Sequence, residues 1–172
     1  MGALTYILEE HNLLKKAIET TKQIQKIEDN ETYHKALNDI ILFFRNFSET
    51  YHHPKEENIL FPLLMKHSKD VNAEFIHEIT DNHEDFKCLM AEIENAFVIY
   101  DYKLLRALVN QYITYMDEHI KMENRMIMNL VPKILDEKEL ETAFTEFVKL
   151  DNKFGDKARL IEIFYKMNLQ FA

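Results

Sequence analysis

From Ala3 to Leu130, apolar residues recur at three- and four-residue intervals in four long runs. Only two glycines and three prolines occur in 172 residues, which leaves little chemistry for tight turns. Residues at i, i+3, i+4 and i+7 share one face of a helix, so each run reads as an amphipathic helix with a core-facing stripe. The first, about Ala3 to Glu28, carries Leu4, Ile7, Leu14, Ile18 and Ile24. The second, about Thr32 to Lys66, carries Leu37, Ile40, Ile41, Phe44, Phe47, Ile59 and Leu63. Ile76, Ile79, Phe86, Met90 and Ile93 mark the third, about Ala73 to Ile99. The fourth, about Leu104 to Leu130, holds Leu108, Tyr112, Tyr115, Met116, Met126 and Ile127. The links between them are short: Glu28–Thr32, His67–Asn72 and Tyr100–Lys103. Short links make neighbouring helices antiparallel. The expected architecture is therefore all-α, an up-down four-helix bundle over residues 1–135. Residues 136–172 form a C-terminal helical extension, broken at Gly155, that packs on the bundle or on a partner chain. Pro54 and Pro62 fall inside the second run. A proline in a straight helix interior costs about 3 kcal/mol, so a bent but continuous helix is expected there.

The stripes also carry histidines. His52 and Glu56, and again His119 and Glu123, stand at i and i+4 on the second and fourth runs, where both side chains can reach one ion. His11 and His83 sit alone on the first and third. Their surroundings match: Ile7 and Ile79 precede them by four, and Lys15 and Lys87 follow by four. The chain thus reads as two helical hairpins, each supplying His and then His-x3-Glu. Counted from the turns, the candidates fall within about three residues of a common height, roughly 5 Å at the α-helical rise. A lone histidine on an apolar stripe is ordinarily a hydrogen-bonded core residue. Four at one height with two carboxylates are not, because burying Glu56 and Glu123 unpaired is expensive and metal coordination removes that cost. The expected metal ligands are His11, His52, Glu56, His83, His119 and Glu123. His53 and Glu57 repeat the i,i+4 spacing one residue on, but Asn46 and Glu49 precede His53 on a wet face, so it belongs outside the ligands or at the surface. His34, His67 and His77 lie off the stripes and read as surface residues. Cys88 reads as a small buried hydrophobe, and the methionines as core filler. Tyr112 and Tyr115 lie over the proposed site. Core packing is their expected role, with a hydroxyl that bonds a bound oxygen species as the catalytic alternative.

Imidazole and carboxylate donors without thiolate suit iron or manganese, manganese being the less favoured, over a structural zinc. The Glu-x-x-His signature of ferritin-like bundles is missing from the fourth helix. Glu10-His11, His52-His53-Pro54-Lys55-Glu56-Glu57 running into Leu60-Phe61-Pro62, Asn82-His83, and His119-Ile120-x-x-Glu123-Asn124 together resemble the hemerythrin-like, or HHE cation-binding, domains over about Leu4 to Pro132. The resemblance implies a non-haem di-iron centre of two iron ions with an oxo or hydroxo bridge. Glu56 and Glu123 would bridge, His11 and His52 would hold one ion, and His83 and His119 the other. Oxygen-carrying members have a His-x3-His pair on the third helix. Here Ile79 and Lys87 flank His83, so the set looks more like the four-His, two-Glu domain of iron-centre repair proteins and other bacterial members.

The function this implies is binding of O2, NO or a peroxide for sensing, buffering or stress protection. The alternatives are a di-iron oxidoreductase turning such species over, and iron storage or delivery to iron–sulfur clusters. A net charge of −9 with no basic stripe argues against nucleic-acid partners. No apolar run is long enough to span a bilayer, and Glu9 and Glu10 interrupt the start where a signal peptide needs apolar residues. Tyr6 stands where a myristoylation pattern needs Ser or Thr. Cys88, the only cysteine, excludes an intramolecular disulfide. A cytoplasmic location and a homodimer through the C-terminal helices are the accompanying expectations.

Overall fold

The structure, a computed structural model, describes residues 2–67 and 71–171. The expected link between the second and third helices includes residues 68–70, which lie outside the described residues. The first helix, α1, spans Ala3–Ile24. A second arm follows without interruption: α2 (Asn30–Asn46), a π-helical stretch π1 (Phe47–His52), α3 (His53–Lys55), a second stretch π2 (Glu56–Leu60) and α4 (Phe61–Lys66). Then come α5 (Ala73–Val98), α6 (Tyr102–Asn129), a turn of helix α7 (Val131–Ile134), α8 (Glu137–Phe154) and α9 (Lys157–Phe171). No strand is present among the described residues.

Side-chain caps start the helices where the sequence changes from polar to periodic. Asp29 accepts from the Thr32 amide, Asn72 from Glu74 and Asp101 from Leu104; Asp136 forms a capping box with Glu139. These groups satisfy amides that a helix start leaves without partners. The turn into α6 closes with the Asp101 amide on the Ala96 carbonyl at 3.1 Å and with Tyr100 at φ 57°.

α1, α2, α5 and α6 pack in a closed ring, and α8 and α9 lie across the face made by α1 and the second arm. The apolar core is divided into two. One cluster holds Leu14, Ile18, Phe44, Phe86, Tyr112 and Ile120 among others. The other holds Ile7, Leu60, Ile79, Met126 and Phe147. On every helix of the ring the residues between the two clusters are polar, and they lie at one level. Cys88 is exposed rather than buried: on α5 the inward stripe runs through His83, Phe86 and Met90, and Cys88 falls outside it.

Candidate metal centre

The polar layer is built from all four arms. His11 on α1, His52 closing π1, Glu56 opening π2, His83 on α5, and His119 and Glu123 on α6 are each at least 96 % buried. The layer depends on the two π-helical stretches. The amide of His53 reaches back five residues to Ser48, and that of Phe61 five residues to Glu56. A π turn widens the helix and changes which side chains share a face. The arm stays continuous through Pro54 and Pro62, and Lys55 Nζ donates to the Tyr51 carbonyl at 2.5 Å beside the bond that Pro54 cannot make. In this local geometry His52 and His53 both point into the bundle.

His53 is therefore 1 % exposed, and its ring stacks on His83 with centroids 3.9 Å apart. Of the two places expected for it, outside the ligands or at the surface, burial rules out the surface; the wet face comes from reading the arm at a regular 100° per residue, which π1 does not keep. The signal for it was present in the His53–Glu57 spacing beside His52–Glu56. Glu57 is also engaged, accepting from His83 Nδ1 at 2.7 Å. His34 and His67 are half-buried rather than surface residues, because His34 stacks on Phe97 at 3.7 Å and His67 pairs with Glu139 at 3.0 Å. His77 is exposed. None of these three belongs to the layer.

Donor atoms gather in two groups. His11, His52, Glu56 and Glu123 bring one atom each within 4.8 Å of the others, and so do His53, His83 and His119. His11 Nε2 is 3.1 Å from His52 Nε2, and His83 Nε2 is 3.0 Å from His119 Nε2. Glu123 bridges the groups, with one oxygen 3.2 Å from His11 Nε2 and the other 3.0 Å from His119 Nε2. Glu56 lies between them as well, 3.6 Å from His11, 3.6 Å from His52 and 3.7 Å from His83. The outward nitrogens fix the tautomers of three rings. His11 Nδ1 faces Asn124 Oδ1 at 2.8 Å, His52 Nδ1 faces Glu10 at 3.1 Å, and His83 Nδ1 faces Glu57. Each acceptor draws the ring proton to Nδ1 and turns an Nε2 lone pair toward the centre.

Two facing lone pairs about 3 Å apart repel unless a cation or a proton lies between them. Donors held by one ion at about 2.1 Å and at right angles stand about 3 Å apart, so the observed separations fit metal ions. The buried oxygens support the same fit. Both oxygens of Glu56, one of Glu123, and both ring nitrogens of His53 have no hydrogen-bond partner, and orphaned buried polar groups of this kind are costly. Protons can substitute in part. Burial by itself lowers His11, but the Glu123 and Glu56 carboxylates outweigh it and lift the ring to about 10. Glu123 and Glu57 similarly lift His83 to about 9 against its burial. Burial wins at His53, which faces three imidazoles and is driven well below the ordinary range.

Tyr112 is buried and packs on Phe44 and Phe86, and Phe86 in turn meets His119. Tyr115 was expected in the core but is 51 % exposed, because it falls on the flank of the inward stripe of α6. It lines an outer pocket of about 290 Å³ with Phe86, His119 and Met122.

The family model of the hemerythrin HHE cation-binding domain matches residues 3–162, nearly the whole chain and well into α9. No curated protein and no solved structure matches it.

Proposed function

This chain belongs to the hemerythrin HHE cation-binding family, and from its polar layer we propose that it is a non-haem di-iron protein that binds O2, NO or a related small oxidant. The observation that carries the reading is the pair of donor groups with Glu56 and Glu123 between them, fully buried and under-partnered. His11 and His52 would hold one ion and His83 and His119 the other, with the Glu56 and Glu123 carboxylates available to both. His53 adds a fifth imidazole to the His83–His119 side. A pair of iron ions supplies redox-active open positions for small ligands.

The chain's own residues prepare the site for this. Asn124, Glu10 and Glu57 hold three rings in the tautomer that presents Nε2 inward. Ile7, Ile79 and Met126 on one side, and Phe86, Met116 and Ile120 on the other, keep bulk water from the layer. A dry setting strengthens electrostatic contacts to a bound anion or dipole.

Metal content after anaerobic ferrous loading tests the reading. Two irons per chain, with charge-transfer absorption appearing on exposure to air, are expected. Replacing both Glu56 and Glu123 by Ala should abolish tight binding. Stoichiometric iron retained in that double variant would overturn the ligand assignment.

A further inference from the structure

Glu10 precedes His11 on α1, and 5 % of it is exposed. It turns away from the His11 side and gathers three donors: His52 Nδ1 at 3.1 Å, Lys55 Nζ at 2.9 Å, and Lys157 in close contact. Lys157 is the first residue of α9. It also donates to Asp151 of α8 at 2.6 Å and to the Tyr6 hydroxyl at 3.2 Å. Asp151 in turn meets Lys55 Nζ at 2.6 Å and accepts from Tyr6. Lys55 is fully buried beneath α8. Two carboxylates and two ammonium groups thus form a closed, charge-balanced cluster that joins the C-terminal helices to the bundle.

The cluster does more than fasten helices, because one of its members touches the candidate metal centre. Had Asp151 alone taken both lysines, α8 would still be tied to the second arm through Lys55. Instead both lysines also hold Glu10, and Glu10 faces the outward nitrogen of His52. Glu10, Lys157 and Asp151 share the lining of an open pocket of about 500 Å³ with Leu13, Phe47, Ile161 and Tyr165; without the contacts of the lysine and the aspartate, water there would compete for the Glu10 oxygens.

We propose that the C-terminal helical pair is a working part of the metal centre, with Asp151 and Lys157 acting through Glu10 to orient His52. The three are positioning residues, and the assignment rests on the metal-binding reading above. A group bonded directly to a metal ligand, as Glu10 is to His52, alters metal affinity by about 10–100-fold when removed; Lys157 and Asp151 act one and two contacts further out.

The test compares the full chain with Lys157→Met, Asp151→Asn, Lys157→Arg and Phe164→Leu, each metal-free at the start. Cobalt(II) affinity is measured by competition with a chromophoric chelator, together with the ligand-field spectrum of the loaded protein and the melting temperature of the metal-free protein. Lys157→Met and Asp151→Asn should each weaken one of two cobalt equivalents, by up to about 10-fold, the lower end for a direct ligand partner, and shift its bands. Lys157→Arg should restore both. Phe164→Leu loosens the packing of α9 on Phe43, whose ring lies 4.5 Å away; it should lower the melting temperature and leave affinity unchanged. Wild-type affinity in both charge-removing variants would overturn the proposal, as would loss of affinity in Phe164→Leu in step with stability. If wild-type protein itself binds no cobalt, the metal-binding reading fails first and this inference with it.

Discussion

His53 is the residue whose chemistry is least explained by packing alone. Its two nitrogens are buried without partners, which costs about 1–3 kcal/mol for each group so stranded, while its ring lies parallel to His83 in the second donor group. His53→Phe separates the two roles, because phenylalanine keeps the stacked ring and removes the nitrogens. The metal-free variant should be as stable as wild type or more so, and its affinity at the His83–His119 position should fall at least tenfold, by analogy with the loss of supporting groups. Chelator competition on the two proteins reads this directly. Two equivalents bound with wild-type affinity would reduce His53 to a packing residue.

At the level of elements, Gly155 permits the joint between α8 and α9. Its φ of 76° with ψ of −32° is a region that L residues with a side chain rarely occupy, and nothing lies within 4 Å of an added Cβ. Gly155→Ala should therefore act through backbone strain alone, costing about 1–3 kcal/mol. For a chain of this size that lowers the melting temperature by about 2–4 °C per kcal/mol, and an unchanged melting curve would contradict the strained-turn account. Elements were also where the sequence was most and least informative. The four long helices and the break at Gly155 follow from a 3.6-residue period and turn residues. So do the levels of His11, His83, His119 and Glu123, because α1, α5 and α6 keep that period. The second arm does not. Pro54 and Pro62 announced an irregularity, but local propensities do not encode whether a proline is absorbed by a kink, a break or a π turn; the surrounding contacts decide. A regular period puts His53 on a wet face for that reason. The outer side of the same arm was equally opaque. Lys55 is buried because α8 brings Asp151 over it, a pairing across almost a hundred residues that no periodicity reveals.

For the whole molecule, the polar layer that splits the core makes stability depend on what fills it. In the metal-free protein, protons carry that role at His11 and His83, raised to about 10 and about 9 from 6.5. A raised histidine stabilises the fold fully below 6.5 and loses that contribution as pH climbs through its folded value. His53 has the opposite sign: held neutral when folded, it costs stability as pH falls below 6.5, where the unfolded ring takes a proton. Glu10, lowered to about 2 despite its burial by His52, Lys55 and Lys157, contributes stability above 4.5 that disappears as pH falls toward 2. The metal-free chain should thus be most stable near pH 6.5, declining on both the acid and the alkaline side. Bound cations replace the protons at the layer, so loading should remove the alkaline decline, while acid should still release the metal by protonating its ligands. Free metal at a thousand times its dissociation constant adds about 4 kcal/mol per site, enough to dominate the curve at pH 8 to 9. Urea midpoints across pH 4 to 10, with and without metal, measure both profiles. A metal-free midpoint that stayed level from pH 6.5 to 10 would show that the layer is not held together by protons on these histidines, and the argument from facing lone pairs would fall with it.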